Sequence, residues 1–125
     1  ASNVSTDFTS INNGYRIYMD NVNFDLSVTG APLQGDVIIT MNNDMDGIAT
    51  ENGWNLIGNP YAATIDWDII DAGNKVNIHD WYYIWATDGL VTPQYATYGG
   101  GGPGTHGANG KIAHSQAFWV QDRND

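Results

Sequence analysis

Hydrophobic residues recur at every second position along much of this chain, and this period constrains the fold more than any other feature of the sequence. In "HDWYYIWA", Trp81, Tyr83 and Trp85 alternate with Tyr82 and Ile84. A period of two is the pattern of a β-strand whose two faces differ. Similar short runs occur in "GYRIYMD", "FDLSVTG", "GDVIITMN", "GWNLIGN" and "GKIAHSQAFWVQD".

Turn signals separate these runs at intervals typical of strands: "NNG", "TGAPLQG", "NNDMDG", "GNPY", "DAGN" and "TDG". Glycine permits positive φ, proline presets φ, and Asn and Asp bond their own backbone, so each cluster favours a chain reversal. The pattern predicts an all-β fold, an antiparallel β-sandwich of jelly-roll type. Only "ATIDWDIIDAG" has room for a helical turn or two.

Size, cysteine content and charge narrow the class of protein to which this chain can belong. The 125 residues predict one domain, 1–125, large enough to bury a core without disulfides. The chain has no cysteine, which excludes a thiol nucleophile and a thiolate metal site. Its net charge of −10 would repel nucleic acid, so neutral ligands and cations remain as partners. No run is long enough to insert in a membrane.

The segment from Tyr98 to Gly110, "YGGGGPGTHGANG", is rich in glycine. It is expected to form a long, flexible hairpin loop before the last strand and to add nothing to the core. A phosphate-binding glycine loop should open a helix, whereas this segment leads to a strand and carries His106, so it does not predict phosphate binding.

The stretch "GWNLIGNPYAATIDWD", Gly53 to Asp68, resembles a module of large secreted and surface proteins of the Bacteroidetes, often found near a type IX secretion sorting tail. Other parts of the resemblance are "NGYRIYM", "SVTGAPLQGDVIITM", "DWYYIWA" and "GKIAHSQAFWVQ". His114 and Ser115 replace a usual Pro-Gly turn, and Trp119 stands where Phe is usual. The resemblance implies a secreted or cell-surface accessory module excised from a larger protein, with glycan-degrading or adhesive neighbours.

Within the motif, large aromatic and aliphatic side chains are expected to serve as framework. Trp54, Leu56 and Tyr61 are predicted in the core, and Asn59-Pro60 is predicted to form a turn. Three further aromatic residues match the resemblance and are also expected to be framework: Trp67, Tyr83 and Trp85.

Five Trp and seven Tyr are more aromatic residues than the core of a small sandwich needs. Flat, rigid rings stack on the apolar faces of sugars, and a cluster of exposed rings usually marks a binding surface. The predicted ligand-binding residues are Trp81, Tyr82, Tyr95 and Tyr98. The alternative for each is partial burial in the core.

The loop "MNNDMDGIATENG" has oxygen ligands at alternate positions, at Asn42, Asp44 and Asp46, followed by a glycine. This spacing is typical of a calcium loop, although the twelfth position is Gly53 rather than glutamate. The alternative is an Asx-rich turn capped by its own side chains. A second, weaker set of calcium ligands is Asp66, Asp68 and Asp71.

Asp66 and Asp68 can also be interpreted as the carboxylate pair of a glycosidase, but the chain has little room for a deep cleft. The three histidines do not have the spacing of zinc ligands. We therefore expect a non-catalytic carbohydrate-binding module that holds neutral polysaccharide through surface aromatics, with calcium as a structural ion. The alternative is an adhesive or structural domain, or a fibre subunit, that self-associates through exposed strand edges.

Overall fold

The structure, a computed structural model, describes residues 14–15, 30–41, 53–86 and 92–123. Within these ranges lie six antiparallel strands: β1 (Trp54–Gly58), β2 (Ile65–Asp66), β3 (Trp81–Ala86), β4 (Gln94–Gly99), β5 (Lys111–Ile112) and β6 (Ala117–Gln121). Two short 3-10 helices follow β2, at Trp67–Ile69 and Ala72–Asn74. The predictions of an all-β fold and of a helical turn or two in "ATIDWDIIDAG" are both confirmed.

The strands form a four-stranded sheet in the order β1-β6-β3-β4 and a two-stranded sheet of β2 and β5. Strand β6 pairs with β1 along its whole length and with β3 at Tyr83 and Trp119. Each residue of β3 also has a partner on β4. No helix in the described part of the chain has the length and apolar character of a membrane span.

The inner face of the four-stranded sheet holds the core, to which both sheets contribute. The buried apolar residues are Ile57, Trp67, Tyr82, Ala96, Tyr98, Ala108, Ile112, Phe118 and Val120. The ring of Trp67, from the first 3-10 helix, meets Tyr82 and Phe118 edge to face, at 5.3 and 6.0 Å between centroids. Such aromatic pairs stabilise beyond the area they bury. Two sheets around one core are compatible with the predicted sandwich.

The glycine-rich segment differs from its prediction in two respects. It connects β4 of the larger sheet to β5 of the smaller one, so it is not a hairpin loop. It also contributes Ala108 to the core, which corrects the expectation that it would add nothing there. Position 110 requires glycine for two reasons. Its φ is 80°, and a Cβ there would lie 3.1 Å from the Tyr98 ring. The carbonyl of Gly110 accepts the Trp67 N–H at 2.8 Å.

Two predicted strands also differ from the structure. The run "GDVIITMN" forms no strand between Gly35 and Met41, although Ile39 and Met41 pack against the core. The run "GKIAHSQAFWVQD" is divided into β5 and β6 by a turn closed by Gln116 N–H to Ala113 carbonyl, at 3.2 Å. The strand predicted in "FDLSVTG", and "GYRIYMD" beyond its second residue, lie largely outside the described residues.

Candidate functional site

The outer face of the four-stranded sheet carries a row of aromatic side chains. Alternation along β3 places Trp81, Tyr83 and Trp85 on this face, because Tyr82 lies in the core. Tyr95 of β4 is the register partner of Trp85 and therefore lies on the same face. We call these four residues the aromatic strip. It runs along β3 and extends onto β4 at one end.

Three members of the aromatic strip are substantially exposed. The exposed fractions are 38% for Trp81, 48% for Trp85 and 42% for Tyr95. The rings of Trp85 and Tyr95 meet edge to face, with 4.9 Å between centroids and 75° between planes. This contact fixes the tilt of Trp85 and leaves part of its surface accessible. The predicted exposure of Trp81 and Tyr95 is confirmed.

At the other end of the strip, Trp81 is supported by a stacked side chain. The imidazole of His79 stacks on the indole, with 4.6 Å between centroids and 8° between planes. The His79 N–H donates to the carbonyl of Gln121 at 3.0 Å, which ties this residue to β6. One face of the Trp81 ring is thus covered by a protein group that restricts its orientation.

The middle of the strip is less exposed than its ends. Tyr83 is half-buried because Trp54 of β1 packs edge to face against it, at 5.1 Å between centroids. Its register partners are Trp119 on β6 and Thr97 on β4, so on the outer face it lies between an indole and a hydroxyl.

Two of the predicted ligand-binding residues do not lie on this surface. Tyr82 is 0% exposed and Tyr98 is 7% exposed, and the two are register partners on the inner face. Their predicted exposure is wrong because Trp67 and Phe118 pack against Tyr82 and fix which face of β3 is buried. Burial raises the pKa of the Tyr82 phenol.

The sequence interpretation does not include two residues of the strip, Tyr83 and Trp85, because the resemblance predicts both as framework. Tyr83 is half-buried, whereas Trp85 is the most exposed residue of the strip. Alternation alone predicts that Trp85 lies on the same face of the strand as Trp81, because the two are an even number of residues apart. The expectation for Trp67 is confirmed, because that ring is buried in the core.

The motif "GWNLIGNPY" is framework, but through different residues from those predicted. Trp54, Leu56 and Tyr61 are only half-buried, whereas the buried side chains are those of Ile57 and Asn59. Trp54 and Leu56 occupy the alternate positions of β1 that lie on the outer face, and they are therefore outside the core.

Asn59 is the polar residue that holds this framework together. Its side-chain oxygen accepts the Tyr61 N–H at 2.9 Å, which is the predicted local turn. Its side-chain nitrogen lies 2.8, 3.1 and 3.0 Å from the carbonyl oxygens of Ala63, Ile112 and Ala113. One buried amide therefore links the turn after β1 to β5, more than fifty residues away in the chain.

The two carboxylates considered for catalysis have structural partners. Asp66 forms an ion pair with Lys111 across the β2–β5 sheet, and this hydrogen bond lowers the pKa of Asp66. Asp68 accepts the Tyr98 hydroxyl at 2.8 Å, and this bond is the first cause of the raised pKa of Tyr98. Both contacts hold the first 3-10 helix against its neighbours.

The carboxylates of the weaker calcium set have partners within the protein. Within the described ranges, no three His, Asp or Glu side chains are grouped as metal ligands, and Asp66 and Asp68 are engaged by Lys111 and Tyr98. Asp71 instead caps the second 3-10 helix by accepting the Gly73 N–H at 3.0 Å. The set of Asn42, Asp44 and Asp46 lies outside the described residues.

No family model, curated protein or solved structure matches this chain. The geometry of the aromatic strip is therefore what bears on function.

Proposed function

We propose that this protein is a non-catalytic carbohydrate-binding module, and that the aromatic strip is its binding surface. The single observation that carries the proposal is the placement of Trp81, Trp85 and Tyr95, all partly exposed, on one face of one sheet. A framework role alone does not need three large rings on the outer face. Exposed aromatic surface of this kind is typical of a recognition site.

The chemistry of the strip favours a neutral polysaccharide. Flat aromatic rings offer the apolar faces that sugar C–H groups pack on, and they lose little conformational entropy on binding. The net charge of −10 disfavours anionic chains. Both lysines in the described ranges are engaged by aspartates, Lys75 by Asp80 and Lys111 by Asp66. The strip is open and shallow, so we expect dissociation constants of about micromolar to millimolar.

The structural alternative, self-association by strand addition, has less support at the positions that the structure describes. On the outer edge of β4, Thr97 exchanges hydrogen bonds with Thr105: its carbonyl accepts the Thr105 N–H, and its own N–H donates to the Thr105 hydroxyl. On the outer edge of β1, the carbonyl of Leu56 accepts the Gly14 N–H at 2.8 Å. Edges occupied in this way are poor templates for another strand.

In this proposal, the cellular location of the protein and its calcium ion are inferred from the sequence alone. The resemblance to secreted Bacteroidetes modules places the protein outside the cell or on its surface. The spacing of Asn42, Asp44 and Asp46 assigns them a structural calcium ion, which would order a loop and take no part in chemistry.

Affinity electrophoresis tests the proposal. The protein is run through native gels cast with neutral plant, algal or microbial polysaccharides, with calcium and then with chelator. We expect retardation by at least one polysaccharide and at least about a tenfold loss of affinity for Trp85→Ala. The matched control is Ile69→Ala, because Ile69 is exposed on a 3-10 helix outside the strip. Retention that persists unchanged in Trp85→Ala, or no retention on any gel, would refute the proposal.

A further inference from the structure

The two exposed tryptophans of β3 lie at opposite ends of the aromatic strip. Trp81 and Trp85 are four residues apart on one strand, which corresponds to about 13 Å at the rise of an antiparallel strand. Each indole is held by its own partner, His79 for Trp81 and Tyr95 for Trp85. They are therefore two separate, independently supported stacking platforms.

The surface between the platforms is suited to a chain that passes over it. Tyr83 is half-buried, and its register partners are Trp119 on β6 and Thr97 on β4, whose hydroxyl can hydrogen-bond to sugar hydroxyls. Beside Trp81, the β4 partner Gly99 adds no side chain. Nothing on this path among the described residues adds a charged side chain, which matches the charge of a neutral glycan.

From this arrangement we propose that the strip selects linear, neutral glycan chains that are long enough to stack on Trp81 and Trp85 at once, with the chain running along β3. This inference rests on the proposed function and adds the length and shape of the ligand to it. When a chain is bound at one platform, its unbound part is at a high effective concentration near the other platform. The second contact therefore raises the affinity above that of either platform alone. A short oligosaccharide occupies one platform only.

In this arrangement His79 is a positioning residue. Its ring covers one face of the Trp81 indole and restricts its rotation, so the opposite face is the one offered to sugar. Removing His79 should weaken long ligands more than short ones, because a disaccharide can still bind at Trp85.

Calorimetric titration with the cello-, xylo- and laminari-oligosaccharide series, from disaccharide to hexasaccharide, tests the inference. For at least one series we expect affinity to rise by at least about tenfold over a narrow range of length. Trp81→Ala and the milder His79→Ala should remove this rise, so that the hexasaccharide binds no more tightly than the disaccharide. Trp85→Ala should do the same, because it leaves Trp81 as the one remaining platform. Trp81→Phe, which retains a flat ring, should preserve most of the rise and serves as a second variant.

The outcomes separate this inference from the proposed function. If polysaccharide is retained in gels but affinity does not depend on oligosaccharide length, or Trp81→Ala weakens every length equally, the two-platform inference is wrong and the binding function stands. If no oligosaccharide binds and light scattering shows a dimer that Trp85→Ala dissociates, the strip is an interface between two copies, and both proposals are overturned.

Discussion

The buried amide of Asn59 offers the sharpest test of how the motif supports the fold. Replacing Asn59 with Asp keeps the shape of the side chain and its acceptor oxygen but removes the –NH₂ group. The bond from the Tyr61 N–H can persist. The carbonyls of Ala63, Ile112 and Ala113 lose their donor. Because the amide has two hydrogens, these three carbonyls share two hydrogen bonds in the native protein.

The magnitude follows from these contacts. Loss of two buried hydrogen bonds costs about 1 kcal/mol each in net terms, and the exposed fraction of Asn59 is only 7%. An ionised carboxylate facing carbonyl oxygens adds a desolvation and repulsion penalty. We expect Asn59→Asp to lower the free energy of unfolding by about 3–5 kcal/mol at pH 7. Urea unfolding followed by tryptophan fluorescence measures this difference.

The deficit should also depend on pH, with a defined sign. Burial beside carbonyl oxygens raises the folded-state pKa of the introduced carboxyl above its unfolded value. The variant therefore regains stability relative to the native protein as the pH falls towards about 4, where the protonated acid can donate one hydrogen bond. Asn109→Asp is the matched control, because exposed Asn109 uses its oxygen to accept the Lys111 N–H at 3.2 Å. A deficit below about 1 kcal/mol at pH 7, or one that does not change with pH, would refute this reasoning.

Two further predictions concern buried phenols and an ion pair. Tyr82→Phe should raise the free energy of unfolding by about 1 kcal/mol, because the Tyr82 hydroxyl is buried with no hydrogen-bond partner among the described residues. Tyr98→Phe should lower it, because the Tyr98 hydroxyl donates to Asp68. Urea titration of both variants checks the pair, and equal effects of the same sign would contradict it. Asp66→Asn should make the melting temperature depend less on pH in the acid range. The pKa of Asp66 is lowered by Lys111, so its contribution is present above about pH 4 and is lost as the pH falls through the lowered value. Melting curves recorded at falling pH would contradict this if native protein and variant lost stability in parallel.

Local sequence was sufficient for the elements that depend on neighbouring residues. Alternation in "WYYIW" separated Tyr82 and Ile84 from Trp81, Tyr83 and Trp85, and the structure has this division. The Asx turn at Asn59 was likewise predictable, since it joins residues two apart. Asp66 and Asp71 are the N-caps of the two short 3-10 helices, and their side chains accept backbone N–H groups two residues ahead.

Alternation could not say which face of β3 is buried. The prediction places Tyr82 and Tyr98 on the surface with Trp81 and Tyr95 because all four lie outside the recurring motif of the resemblance. A period of two defines two faces without assigning either to the core. The assignment depends on Trp67, which follows a different strand and packs on the face of Tyr82. The burial of Ala108 in a glycine-rich segment had the same kind of cause, contact with residues distant in sequence.

By itself, then, the sequence determined an all-β chain with local turns at recognisable positions, because period and turn chemistry act over a few residues. Only the tertiary structure decided that Trp81, Trp85 and Tyr95 share an open face while Tyr82 and Tyr98 lie beneath it. The physical reason is that the burial of a side chain depends on what packs against it. The partners of β3 come from β4, β6 and the first 3-10 helix, and no local pattern specifies their approach.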